Sequence, residues 1–141
     1  MPNINEKVFK RLEVEVKKTY YTFTRYLSPS TFSLLYFEGN LSVEKLGEFL
    51  RISDKFLQID ENHYFINYMF TEQHGAFKAS QNLLLNLDKH FKNQKSCIAI
   101  DIFDTNKTPR IVINRLMEIL KETQKSSYSR IEDESILSGI I

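Results

Sequence analysis

Two apolar runs, residues 55–59 and 64–70, stand on either side of a polar knot, Asp60-Glu61-Asn62-His63, and this constrains the fold more than any other stretch. Runs of strand length around a short polar turn read as a β-hairpin, which commits the chain to an antiparallel strand pair. Everything else has to cover the faces of the sheet to which that pair belongs.

Helical and extended patterns alternate around the hairpin. Phe9, Leu12, Val16, Tyr20, Phe23 and Leu27 recur at intervals of three or four, the helical period, and Pro29 stops that helix. "TFSLLYFEGN" reads as a buried strand closing on Gly39-Asn40, and Ser42 then offers an N-cap for a short helix with Val43, Leu46, Phe49 and Leu50 on one face. Beyond the hairpin, Ala76, Ala79, Leu83, Leu87 and Phe91 mark a helix of about four turns. "SCIAIDIFD" is a strand, and Thr108-Pro109 opens a last helix carrying Val112, Leu116, Ile119 and Leu120. From about residue 126 the periodicity is lost, and the apolar "ILSGII" end either docks or stays free.

This order predicts an α+β fold: a ferredoxin-like β-α-β-β-α-β core with a four-stranded antiparallel sheet, a long N-terminal helix and a C-terminal helix. The divisions are residues 1–30 for the N-terminal helix, 31–125 for the core and 126–141 for a tail. Right-handed crossovers put both internal helices on one face, so the N-terminal or last helix must cover the other.

With 141 residues, one core is affordable and two ordinary domains are not. Nineteen basic against eighteen acidic residues leave a formal charge of +1, with no global bias toward nucleic acid or anionic membrane. The single cysteine, Cys97, excludes an intramolecular disulfide and a cysteine-based zinc cluster, and its apolar setting reads as a buried small side chain. The N-terminus lacks a signal-peptide pattern, and no apolar run approaches the roughly 20 residues that span a bilayer, so a cytoplasmic protein without membrane contact is expected.

Catalytic constellations are sparse. No nucleophile elbow, Walker loop or dinucleotide glycine turn occurs, and four glycines equip the chain poorly for a phosphate cradle. His63, His74 and His90 share no ligand spacing, and Asp101 and Asp104 point to opposite sides of a strand, so neither a metal nor another cofactor is expected. Asp104 reads as a turn former. Phe32, Leu34 and Tyr36 alternate with Ser33, Leu35 and Phe37, which raises an RNA-binding platform as an alternative, but the RNP pattern is missing and nucleic acid is not favoured.

The run "RISDKFLQIDENHYFI", residues 51–66, resembles the segment of GGDEF (diguanylate cyclase) domains in which an Arg-x-Ser-Asp helix end leads through a strand into the Gly-Gly-Asp-Glu-Phe turn. In that register Asp60, Glu61, Asn62, His63 and Tyr64 hold the five signature positions. "EVKKTYYTFTRYLSPSTFSLLYFEGN" is similar to the family's lead helix and first strand, "FTEQHGAFKASQNLL" to the turn and helix after the hairpin, and "CIAIDIF" to its fourth strand. The resemblance spans residues 7–125, roughly.

Its departures carry the functional reading. The resemblance implies glycines where Asp60 and Glu61 stand, and glycine alone lets a backbone approach phosphates closely. It implies acidic, metal-supporting residues where Asn62 and His63 stand, and a hard cation needs anionic oxygens. Glu38 would take the place of the metal-binding aspartate after the first strand. The stretch from Glu38 to Asp54 holds only one helix, too little for the family's nucleotide-contacting loop and two helices. The expectation is a non-catalytic regulatory or protein-interaction module resembling an inactive GGDEF-like domain, not an enzyme. Its partner is a protein, a second copy included, met through Phe9, Leu12, Val16, Tyr20 and Phe23 if the chain's own sheet does not use that stripe. The alternative is a nucleotide-binding domain or reduced nucleotidyl cyclase using Glu38, Asp60, Glu61, Asn62 and His63.

Overall fold

The computed structural model describes residues 2–140. Residue 141, the last of the apolar tail, lies outside the described residues. The elements are α1 (Glu6–Tyr26), β1 (Thr31–Phe37), α2 (Val43–Phe49), β2 (Lys55–Asp60), β3 (His63–Tyr68), α3 (Gln73–Phe91), β4 (Ser96–Ile100), α4 (Pro109–Thr123) and β5 (Arg130–Glu132), followed by a 3-10 turn (Glu134–Ile140). Helix starts follow the caps read from sequence. Ser42 accepts from the Lys45 N–H and Thr108 from the Ile111 N–H, each satisfying one orphan donor of a first turn. Asn5 does the same for α1 through the Val8 N–H. At the other end of α1, Leu27 is not on the helical stripe: it is the left-handed C-cap, with φ 56°, and its side chain is exposed.

The sheet corrects the sequence reading. It has five strands in the order β2-β3-β1-β4-β5, and it is mixed, because β5 pairs parallel to β4 from Cys97 opposite Arg130 to Ala99 opposite Glu132. The four expected strands pair antiparallel as anticipated, with β1 at the centre between β3 and β4. The fifth comes from the stretch assigned to a tail.

Alternation along β1 divides the core in two. Phe32 and Leu34 join Phe65, Cys97 and Ala99 beneath α1 and α4, while Leu35 and Phe37 join Tyr64, Ile66, Ile98 and Ile100 beneath α2 and α3. Both internal helices therefore share a face, as right-handed crossovers require. Both faces of β1 are covered, which removes the ring platform that an RNA reading needs.

Helix α1 spends its stripe inside the chain. Leu12 and Val16 are fully buried, Phe9 packs on the same cluster, and the Tyr20 hydroxyl donates to the backbone oxygens of Asp104 and Lys107 at 3.0 and 2.9 Å. Phe23 meets the Phe103 ring edge-on at 5.3 Å. Of the stripe expected as a partner surface, Leu12 and Val16 are thus used by the chain's own core. The sheet and α4 take Leu12 and Val16 entirely, while Phe9, Tyr20 and Phe23 stay partly exposed along the rim of that face. Among the described residues, no helix is long and apolar enough to cross a membrane.

Candidate functional site

The hairpin turn closes without glycine. Residues 61 and 62 both avoid positive φ, so the mirror-image turn usual in two-residue hairpins is not formed. A register shift between Gln58 and Asp60 absorbs the mismatch, and the Asp60 side chain stabilises the turn by accepting the Asn62 N–H at 2.9 Å. The turn is built from side-chain bonds where a glycine pair would have supplied backbone freedom.

Those bonds continue until almost every polar group is used. The second oxygen of Asp60 accepts the Asn3 N–H at 2.8 Å, and the first lies 2.8 Å from Nδ1 of His63. Burial alone would raise the Asp60 pKa, but the Asn3 and Asn62 N–H groups and His63 together hold it below the ordinary aspartate value. The carboxylate is charged and Nδ1 of His63 therefore donates to it. Burial depresses the His63 pKa, with Asp60 opposing, and its Nε2 is buried without a partner beside the Tyr36 ring. Asn62 clamps the end of β1: its amide donates to the Phe37 carbonyl at 2.9 Å, and its own carbonyl accepts the Phe37 N–H at 3.1 Å. Glu61 is exposed at the tip.

Glu38 sits just beyond that clamp, so the structure brings it to the same end of the sheet as the hairpin turn. It too is occupied. One oxygen accepts the Lys95 N–H at 3.1 Å and the other the Tyr36 hydroxyl at 3.2 Å, locking the start of β4 to the end of β1. Burial, then Glu38, pushes the Tyr36 pKa up. Gly39 follows with φ +106°, a conformation that needs glycine, and lets the chain turn directly into α2. The Leu41 carbonyl accepts the buried Tyr64 hydroxyl at 2.9 Å, which pins this short connection to the hairpin. Among the described residues, no three His, Cys, Asp or Glu side chains are grouped to hold a metal. Asp101 is used structurally, paired with Arg115 at 2.7 Å, and Asp104 forms a turn by accepting the Asn106 N–H.

A second feature lies at the opposite end of β2. The buried Asp54 carboxylate takes the Arg51 guanidinium through two nitrogens, at 2.7 and 3.1 Å, and also accepts the Arg51 N–H at 3.0 Å. Arg51 reaches on to the Thr71 hydroxyl at 2.8 Å and lies 5.8 Å from the Tyr68 ring centre. Arg51, Asp54 and Tyr68 line a groove of about 350 Å³ together with Lys78 and Asn82 of α3. Sequence reasoning used Arg51 and Asp54 only to fix the register of the hairpin. The available signal was the i, i+4 spacing of Lys78 and Asn82, which puts both on one helix face.

No family model matches the sequence, and no curated protein is similar to it in sequence. The fold does have counterparts. The diguanylate cyclase SiaD of Pseudomonas aeruginosa, in complex with its activator SiaC, superposes with a TM-score of 0.74 at 9% identity, covering 88% of this chain and 57% of that one. The isolated GGDEF domain of YfiN (TpbB) from the same organism gives 0.72 at 9% identity over 93% of this chain and 92% of that one. The GGDEF domain of DgcB from Caulobacter crescentus, in complex with c-di-GMP, gives 0.67 at 8% identity over 95% and 93%. The chain thus has a GGDEF-like fold, and identities this low carry the fold alone.

Proposed function

We propose that this chain is a non-catalytic regulatory domain that works through protein contacts on a GGDEF-like scaffold. The observation that carries the reading is the internal bonding of the three groups best placed for chemistry: Glu38, Asp60 and Asn62 each hold backbone groups of this chain. A triphosphate needs open backbone N–H donors and room, and Asp60 and Glu61 offer side chains with negative charge instead. A magnesium ion needs several anionic oxygens, and near Glu38 the turn offers neutral Asn62 and a buried His63. Only residues 38–42 join β1 to α2, leaving no loop to embrace a base. That SiaD is held with a protein activator is in keeping with a partner-binding role for this scaffold.

The test is incubation with GTP and magnesium, read by product analysis and by thermal unfolding. A ligand at about 100 times its dissociation constant adds roughly 2.7 kcal/mol, a shift of several degrees. The expected result is no cyclic dinucleotide and no shift. Product, or a magnesium-dependent shift with GTP, would overturn the reading.

One observation favours a second reading, nucleotide binding without turnover. The groove beside Arg51 gathers a guanidinium, an ammonium and an amide around a tyrosine ring. A shift with c-di-GMP that disappears in Lys78→Ala would establish it.

A further inference from the structure

The outward face of α1 has a composition that the core does not explain. Its stripe of Lys7, Arg11, Val14, Lys18, Tyr21 and Arg25 runs at intervals of four, three, four, three and four, the spacing of a helix–helix seam, on the side opposite Leu12 and Val16. All six of these side chains are exposed, Val14 by 50% and Tyr21 by 62%. Lys10 and Lys17 border the seam, so every lysine and arginine of the helix lies on this side.

The three acids of α1 stay off the seam. Glu15 turns toward the sheet, where it accepts from Asn67 at 3.3 Å, and Glu6 and Glu13 lie 3.9 Å from Lys10 and Lys17. Lys7, Arg11 and Lys18 have no ion-pair partner among the described residues, and Arg25 donates to the Tyr21 hydroxyl at 3.0 Å. A chain of net charge +1 therefore carries a segregated basic rail along a helix about 30 Å long, fixed at both ends by its caps.

We infer that this rail is a docking surface for an acidic amphipathic α-helix of a protein partner, an inference that rests on the interaction reading above and names its surface. A phosphate backbone would pair with the cations but has nothing to bury against Val14. An acidic helix pairs carboxylates with Lys7, Arg11, Lys18 and Arg25 while its own apolar residues cover Val14 and Tyr21. A second copy is disfavoured here, because its seam would set cation against cation. The carboxylates also steer the encounter, over a screening length of about 8 Å at physiological salt.

The experiment uses the full chain and a synthetic 21-residue helical peptide with glutamate opposite the four cations and leucine opposite Val14 and Tyr21, followed by fluorescence anisotropy. Saturable binding is expected, with a scrambled peptide of the same composition failing to bind. Arg11→Glu with Lys18→Glu should weaken the complex at least about tenfold with an unchanged unfolding temperature. A lysine version of the peptide should bind that double variant in preference to the parent chain. No saturable binding, equal binding of the scrambled peptide, indifference to the charge reversal, or tighter binding of a 20-nucleotide single strand would each overturn the proposal. GTP turnover assayed on the same samples separates the two readings: product formation with the peptide bound would sink the non-catalytic reading and leave the surface standing.

Discussion

The two ends of β2 carry the same device with the burial reversed. At its start Asp54 pairs with Arg51 at 2.7 Å, and at its end Asp60 pairs with His63 at 2.8 Å, each pair three residues apart. In the first pair the carboxylate is buried and the cation half-exposed; in the second the imidazole is buried and the carboxylate is more open. The difference decides what each can do. The hydrogen bonds to Asp54 push the Arg51 pKa above its already high ordinary value, so the guanidinium stays charged. A buried imidazole is kept neutral by desolvation, so its contact changes with protons.

The largest effect should come from removing the buried carboxylate of the first pair with its hydrogen bonds. Asp54→Ala removes a guanidinium partner and the acceptor of the Arg51 N–H, and is expected to cost about 3 kcal/mol, roughly 10 °C in unfolding temperature. A cost below about 1 kcal/mol would mean that the pair behaves as a surface salt bridge, unlike the pair at the other end of β2. Asp60→Ala should cost less, about 2 kcal/mol, because it frees two backbone N–H groups in a turn that water can reach. Urea unfolding of the two variants side by side checks the order.

The sequence made the framework legible and hid what depends on tertiary context. Ser42 and Thr108 could be read as caps because their bonds are local. The hairpin was readable because two apolar runs meet at one polar turn. Strand β5 was not, since Arg130, Ile131 and Glu132 carry no alternation that distinguishes them from a loop, and their pairing is supplied by the exposed edge of β4. The stripe on α1 could be read as apolar, yet only the placement of α4 and Phe103 decides what covers it. At the candidate site, Glu38 and residues 60–63 lie at one end of the sheet. That Glu38, Asp60 and Asn62 bond inward was not legible, because bonds such as Glu38 to Lys95 or Asn3 to Asp60 join residues 57 positions apart.

A pH titration of stability sharpens the contrast next. His63 is held below its ordinary value of 6.5, so the unfolded chain takes up this proton at a higher pH than the folded one. Its contribution is complete above that value and is lost as the pH falls through it. Asp60, also depressed, acts in the same direction in the more acidic range, below its ordinary value of 3.8. Stability should therefore fall as the pH drops below the ordinary histidine value of 6.5 in the parent chain, and His63→Phe should flatten that part of the curve. An unchanged slope in the variant would assign the proton uptake elsewhere and leave the two pairs alike in their response.

The smallest effect tests whether the turn is held as described. Glu61 occupies the second of the five positions that resemble the cyclase signature, yet it is exposed and contributes no hydrogen bond or ion pair among the described residues. If Asp60 and Asn62 alone close the hairpin, Glu61→Ala should change stability by no more than about 0.5 kcal/mol. On the proposed reading, in which the Asp60 carboxylate held by Asn3 and Asn62 is what keeps a phosphate from the turn, it should also confer no thermal response to GTP and magnesium. A nucleotide response gained by this single change would place the block on the exposed charge of Glu61, and the inward bonding of its neighbours would no longer explain the turn.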